Sequence, residues 1–425
     1  MTKHPESIKD TMMGTWQKER FLQMANTIAR KRMSSDNLWA NPDDIEPKKP
    51  LLYLSIGIPD SDELPRTELN EAMREIMNRK DDTSLRYGFG KGYYPIRKYL
   101  ADTYARERGV EVTEDWFQLT NGSTAAIDCV VRSLINPGDV IATETPTYMG
   151  SLANFYAVGA EVCPVSMDDS GLNVGELAEK IKNLKEKGKH VKIVYTISAF
   201  QNPTGVTMSL DRRQELLNLA AEEKFLILDD DAYGDLYYDM PPSTPLSGLS
   251  GGHGVVTVGT FSKTVATGLR IGWIHAHPDA VGLFARMKFD MGQNQMALQM
   301  MGRFLEKGCL EPHLKKMHQL YKQKMILTAD LMDKHLSEFV SFSRPAGGFY
   351  LWVKLKNGLS SHAVWRTATQ EGVAVNPGPS FIPDYNQEKG EYLRIAFCWT
   401  PADQLEEAVH RLALACQRVA MGDAA

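Results

Sequence analysis

From about residue 115 the chain alternates short, continuously apolar runs with longer stretches in which apolar residues recur every three or four positions. The runs Gln118–Thr120, Val140–Ala142, Val191–Ile197, Phe225–Leu228, Val255–Gly259 and Ile271–Ala276 predict strands, and Thr124–Ser133, Val174–Leu184 and Leu210–Glu223 predict helices between them. Strands this apolar have no face to give to water. They predict a mostly parallel sheet covered by helices on both sides, an α/β three-layer sandwich. After about residue 310 the pattern changes: a long helical period over Leu314–Leu336 precedes Phe339–Phe342, a Gly347-Gly348 turn, an apolar run Phe349–Val353, another at Tyr392–Phe397 and a helical pattern over Asp403–Val419. That texture predicts a smaller α+β domain.

Residues 1–50 differ from both. Phe21, Met24, Ala25 and Ile28 lie at helical spacing ahead of Arg30-Lys31-Arg32, and a polar, proline-bearing stretch runs from Asn41-Pro42 to Lys48-Lys49-Pro50. The expectation is an amphipathic arm and linker over 1–50, a large domain over 51–310 whose first part is open to joining the small one, and a small domain over 311–425. The basic triplet suits the C-terminal end of a helix, where cations meet the macrodipole.

Composition narrows the class. A chain of 425 residues with 43% hydrophobic and 24% charged residues is an ordinary globular protein with room for two or three domains. Lys plus Arg at 48 against Asp plus Glu at 53 leaves a net charge of −5, which gives no bulk attraction for nucleic acid or an anionic membrane. Five widely spaced cysteines without a CxxC pair argue against a disulfide framework or zinc ribbon, and the histidines show no metal spacing. The first residues carry charges with no apolar h-region behind them, and no run of 18 apolar residues occurs, so the expectation is a soluble cytoplasmic protein.

In a parallel sheet, ligands bind beyond the carboxyl ends of the strands, so polar residues just past the apolar runs carry the functional signal. Phe225-Leu226-Ile227-Leu228 runs into Asp229-Asp230-Asp231, three adjacent carboxylates that call for a cation or a protonated nitrogen. Val255–Val258 runs into Gly259-Thr260-Phe261-Ser262-Lys263, followed by Arg270, which offers a lysine for a carbonyl and hydroxyls with a guanidinium for a phosphate. Asn121-Gly122-Ser123-Thr124 follows Gln118–Thr120 and opens a helix whose leading N–H groups suit an anion. Phosphate seat, amine and strand-end carboxylate together specify a ligand with a phosphate, an aldehyde and a basic ring nitrogen. Pyridoxal phosphate has those three groups.

With these residues the chain resembles the class I/II aminotransferases, fold-type I pyridoxal-phosphate enzymes, over nearly its whole length from about residue 50. Leu54-Ser55-Ile56-Gly57-Ile58-Pro59-Asp60 is similar to the family's opening segment, whose glycine lies near substrate, and Arg86-Tyr87-Gly88 to the segment whose tyrosine reaches the cofactor phosphate of the neighbouring subunit. Glu144-Thr145-Pro146-Thr147-Tyr148 resembles the turn whose aromatic ring stacks on the pyridine. Gln201-Asn202-Pro203-Thr204-Gly205 resembles the loop whose asparagine faces the ring hydroxyl and the substrate. The resemblance implies that Asp230 pairs with the pyridine nitrogen, Tyr233 with the ring hydroxyl, and Lys263 forms the Schiff base. It implies that Gly122, Ser123, Thr124, Thr260, Ser262 and Arg270 surround the phosphate, and that Arg394 clamps the substrate carboxylate. It further implies a homodimer with Tyr87 acting across subunits.

The residues themselves agree with these roles. A carboxylate at the ring nitrogen keeps it protonated, and strand alternation turns Asp229 and Asp231 away from the face that Asp230 occupies. Details lean toward the branch of 2-aminoadipate and kynurenine aminotransferases, with departures at Ala266-Thr267-Gly268 and Ser198-Ala199-Phe200, where proline is common. The expected activity is transfer of an amino group from an α-amino acid to a 2-oxo acid. Elimination, replacement or cyclisation in a specialised biosynthetic pathway stays open as the alternative, because the same residues serve any reaction at the α-carbon. A ligand-sensing regulator fused to a DNA-binding domain fits less well, since residues 1–50 are too short for a winged helix and linker.

Overall fold

The computed structural model describes residues 12, 20, 23–25, 42, 44–88, 90–288, 290–383 and 390–423. The chain divides into two compact units, Met1–Leu38 and Trp39–Ala425, and the fold and the site belong to the second. Phe21, Ile28 and Arg30-Lys31-Arg32, on which the arm reading rests, lie outside the described residues.

The strands are β1 (Leu52–Tyr53), β2 (Phe117–Thr120), β3 (Val140–Thr145), β4 (Glu161–Asp168), β5 (Gly171–Leu172), β6 (Val191–Thr196), β7 (Leu226–Asp231), β8 (Val255–Thr260), β9 (Gly272–His275), β10 (Val340–Phe342), β11 (Tyr350–Leu355), β12 (Val373–Ala374), β13 (Asn376–Pro377) and β14 (Tyr392–Ala396). An eight-stranded sheet takes the order β2-β9-β8-β7-β6-β3-β4-β5. Pairings β4·β3, β3·β6, β6·β7 and β7·β8 are parallel, while β9 runs antiparallel between β8 and β2. Two antiparallel steps restore direction, so β2 and β8 point the same way. The α/β architecture expected from the apolar runs is the one observed.

Helices cover this sheet because its strands are apolar on both faces. Val140, Val165, Leu177, Val194, Leu216, Ile227 and Val255 form one core; Tyr104, Phe117, Leu119, Phe261, Trp273 and Phe304 form another. Each such side chain, fully buried, contributes about 1.5–3 kcal/mol of hydrophobic stabilisation before the entropy of ordering is subtracted. A second sheet, β10-β11-β14-β13, is antiparallel, and β1 pairs with β12 in a short parallel ladder. Helix Leu310–Leu336 begins four residues before the helical period read from the sequence. β4 had no counterpart among the predicted strands: it carries Pro164 and exposed ends, so its apolar run is broken.

The order places a switch at β3, which is flanked by β4 on one side and β6 on the other. Crevices outside the carboxyl ends at such a switch bind ligands. β2, β8 and β7 share one direction, with only β9 between β2 and β8, so their carboxyl ends bring the following loops to the same edge of the sheet.

Candidate active site

The register across β2, β9 and β8 builds the first wall of the site. Thr120 pairs with Gly272, and Gly272 with Thr260, so the turns after β2 and β8 lie side by side. Gly272 permits this approach: a Cβ there would lie 2.5 Å from the carbonyl carbon of Gly122. Gly122 itself has φ 83°, and a Cβ on it would meet the Arg270 guanidinium at 2.5 Å. Helix Ser123–Leu134 starts at this point with no side chain capping its first turn. Its leading amides and dipole, with Ser123 and Thr124 on the cavity wall, form an anion seat. Arg270 Nη2 donates to Asn121 O at 3.1 Å and Nη1 to Ser262 Oγ at 3.4 Å, which holds the guanidinium beside that seat.

The cavity has a volume of about 300 Å³ and is lined by Gly57, Ser123, Thr124, Tyr148, Asp230, Tyr233, Thr260, Ser262, Lys263 and Arg394 among others. Gly122, Asn202 and Arg270 stand directly behind this lining, each in contact with a lining residue or its neighbour. Tyr87 does not reach it. That side chain is 74% exposed and lines a separate surface opening with Leu85, Arg86 and Gln295.

Asp230, at the end of β7, is buried and accepts from Tyr195 OH at 2.8 Å on Oδ2, whereas Oδ1 has no partner. Burial pushes its pKa up to about 7; the Tyr195 hydrogen bond opposes this and the adjacent Asp229 charge adds to it. Asp229 and Asp231 do not line the cavity. Asp229 Oδ1 accepts from Ser198 N at 3.4 Å, and Asp231 is ion-paired with Arg108. Lys263 is part-buried, and its Nζ donates to Gly57 O at 2.8 Å. Burial lowers its pKa to about 8, so the neutral, nucleophilic amine is accessible near physiological pH.

On the opposite side, Arg394 of β14 is 2% exposed and donates to Asn202 Oδ1 at 3.1 Å, Ser55 O at 2.7 Å and Asn376 Oδ1 at 2.7 Å. Its guanidinium carbon sits 4.4 Å from the Tyr350 ring centroid and 4.8 Å from that of Phe381. Asn202 Nδ2 reaches Tyr233 OH at 3.4 Å. Burial raises the Tyr233 pKa well above the ordinary phenol value, so the hydroxyl stays protonated and can donate.

The family model for Aminotransferase class I and II matches residues 49–412. The chain is a class I/II aminotransferase. The aminotransferase is 33% identical over 365 residues to aromatic-amino-acid aminotransferase 1 of Thermococcus litoralis, covering 85% of this chain and 87% of that protein. Its fold superposes on Pyrococcus horikoshii kynurenine aminotransferase, solved in complex with PMP, with a TM-score of 0.84 at 30% identity, over 97% of this chain and 99% of that one. The alpha-aminoadipate aminotransferase of Thermus thermophilus, solved with N-(5'-phosphopyridoxyl)-L-leucine, gives a TM-score of 0.84 at 27% identity, over 94% and 99% of the two chains. The enzyme is thus a pyridoxal-phosphate-dependent transaminase acting on amino and oxo acids, and the eliminating or cyclising alternative is not favoured.

The donor set of the aminotransferase fits that cofactor. An orphaned carboxylate oxygen on Asp230, an uncapped helix start beside Arg270 and an amine on Lys263 face one cavity, matching ring nitrogen, phosphate and aldehyde. Among the described residues, no helix is long and apolar enough to cross a membrane and no cluster of three acidic, His or Cys side chains suits a metal ion.

Several residues of the site had not been singled out from the sequence. Tyr195 partners Asp230, Asn376 partners Arg394, and Tyr350 lies 2.9 Å from Tyr233 through their hydroxyls. Glu144 is fully buried and accepts from Thr196 Oγ1 at 2.7 Å, Ile197 N at 2.9 Å and Gln201 Nε2 at 3.0 Å. Gln201 Nε2 also donates to Pro146 O at 2.8 Å, which locks the turn bearing Tyr148 to the loop bearing Asn202. Burial raises the Glu144 pKa to about 8. A tyrosine inside an apolar strand is the one sequence signal here, since a buried phenol needs a partner for its hydroxyl.

Proposed function

We propose that Lys263 is the residue that binds the cofactor covalently and that Asp230, Tyr233 and Arg394 divide the rest of the work. The convergence of Lys263 Nζ, the unpartnered Asp230 Oδ1 and the Arg394 guanidinium on one cavity carries this reading. Pyridoxal phosphate, when bound, supplies an aldehyde for the amine and a ring that takes up the electron pair freed at the substrate α-carbon. Asp230 holds the proton on the ring nitrogen, and its raised pKa relaxes once a cation faces it. Tyr233 and Asn202 donate to the ring oxygen. Tyr148 covers the ring face. Gly122, Ser123, Thr124, Thr260, Ser262 and Arg270 hold the phosphate through backbone amides, hydroxyls and the guanidinium. Arg394, fixed by Asn376 and Asn202, orients the substrate carboxylate, with the Gly57 backbone alongside. Lys263 Nζ would be the base that takes the substrate's α-carbon proton and gives it back.

In this reading the enzyme is a cytoplasmic homodimer in which Tyr87 completes the phosphate site of the partner, consistent with its exposure. Residues 51–310 make up the cofactor domain, whose first part joins the small domain of 311–425 through the pairing of β1 with β12, and 1–50 is an arm. The names of the similar proteins point to donors with large side chains, aromatic amino acids, kynurenine and aminoadipate among them. A panel of amino donors with 2-oxoglutarate, scored for both glutamate and the keto product, tests this. Equal yields of the two are expected for the preferred donor; consumption of donor without a keto product would contradict transamination.

A further inference from the structure

Tyr350 stands in β11, where it pairs with Ala396 of β14; Arg394 is two residues before Ala396. Diagonal neighbours at that offset lie on one face of the sheet. The result is the 4.4 Å approach of the Arg394 guanidinium to the Tyr350 ring, a geometry that favours a cation over an aromatic face. At the other end of the same side chain, the phenol oxygen is 2.9 Å from Tyr233 OH. The ring edge is set by the opening segment: a Cβ on Gly57 would lie 2.0 Å from Tyr350 OH, so only glycine leaves room for it. Gly57 O is in turn the acceptor of Lys263 Nζ. One buried side chain thus touches the hydroxyl pair, the carboxylate clamp and the segment that holds the lysine.

We propose that Tyr350 is a positioning residue that ties the Tyr233 hydroxyl to the Arg394 clamp. This rests on the roles given above to Tyr233 and Arg394. A phenol carries a single O–H. When Tyr233 gives its proton to the cofactor's ring oxygen, it can only accept from Tyr350, and a donor that is itself hydrogen-bonded donates more strongly. Tyr350 O–H therefore reinforces the stabilisation of a negative ring oxygen. Its ring, independently, holds the guanidinium at the place from which it meets a carboxylate.

Two variants separate the two contacts. Tyr350→Phe keeps the ring and removes the hydroxyl; Tyr350→Leu removes both. Each is purified with pyridoxal phosphate, and two quantities are read: the pH midpoint of the bound cofactor's visible absorbance, and the Kd for 3-phenylpropionate, a carboxylate that cannot react, by calorimetry. Loss of one neutral hydrogen bond to Tyr233 should move the midpoint upward by about half a pH unit in both variants. The Kd should change less than about twofold in Tyr350→Phe and rise about tenfold in Tyr350→Leu, where the cation loses its aromatic face. An unmoved midpoint in Tyr350→Phe overturns the link to Tyr233, and an unchanged Kd in Tyr350→Leu overturns the link to Arg394. A wild-type protein that shows no pH-dependent cofactor absorbance would instead overturn the reading of Lys263, Tyr233 and Arg394 on which the inference stands.

Discussion

Asp230 is the group whose replacement separates cofactor chemistry from fold most sharply. In the cofactor-free chain its carboxyl ionises at about 7 instead of 3.8, because burial disfavours the charge more than the Tyr195 hydrogen bond favours it. Between those values the unfolded chain is ionised and the folded one is not, so rising pH favours unfolding, by about 1.4 kcal/mol per pH unit. The full cost, about 4 kcal/mol, is absent below the unfolded value and complete above the folded one. Asp230→Asn keeps the shape and an acceptor for Tyr195 but cannot ionise. Urea unfolding of the cofactor-free proteins at about pH 5.5 and about pH 8 should therefore show Asp230→Asn gaining about 2 kcal/mol on the wild type across that interval. Pyridoxal phosphate should cancel that gain at pH 8, since a ring cation facing Asp230 compensates the buried charge and an asparagine offers it none. A stability difference that is independent of pH, or one that favours the wild type more at the higher pH, would refute the reasoning.

Other substitutions probe the remaining walls. Arg394→Lys should raise KM for the amino donor on the order of tenfold to a hundredfold in steady-state assays while leaving cofactor affinity unchanged, because a single ammonium replaces a two-pronged donor. Gly272→Ala puts a Cβ 2.5 Å from the Gly122 carbonyl carbon, backbone against backbone, so the turn before helix Ser123–Leu134, proposed above to hold the phosphate, must shift. Pyridoxal phosphate should then dissociate at least about tenfold more readily, measured by equilibrium dialysis, with a stability loss of about 1–3 kcal/mol. Lys324 and Asp60 form an ion pair whose side chains are 2% and 7% exposed. Lys324→Met alone should destabilise the protein by about 3–5 kcal/mol in urea unfolding, since it strands a buried carboxylate. The double variant with Asp60→Leu should recover much of that loss.

How far the fold was legible followed from how each element is stabilised. β3, β6, β7 and β8 lie inside the sheet and need apolar side chains on both faces, so their continuous runs stood out, and the residues just past them, Asp230 and Lys263, stood out with them. β4 is bordered by the two-residue β5, which leaves much of it exposed; its polar ends and Pro164 concealed it. The resemblance to the family singles out Asp230 over Asp229 and Asp231, and the two-residue alternation of a strand agrees by placing both neighbours on the other face. Tyr195, Tyr350 and Asn376 could not be found that way. Tyr195 and Asn376 meet their partners across neighbouring strands, as Asn376 pairs with Arg394 across β13 and β14, while Tyr350 of β11 meets Tyr233 in the turn after β7, and these placements are set by packing that no local pattern records. Glu144 sat inside a quoted motif, yet its partnership with Gln201 depends on two turns, 57 residues apart, closing on each other.

Covalent capture of the cofactor tests the central claim most directly. Purified protein loaded with pyridoxal phosphate is treated with borohydride, digested and mapped by mass spectrometry. A single pyridoxyl adduct on the peptide containing Lys263, absent from Lys263→Ala protein that still folds, is the predicted result. An adduct distributed over other lysines, or none on Lys263 while transamination proceeds at full rate, would contradict it.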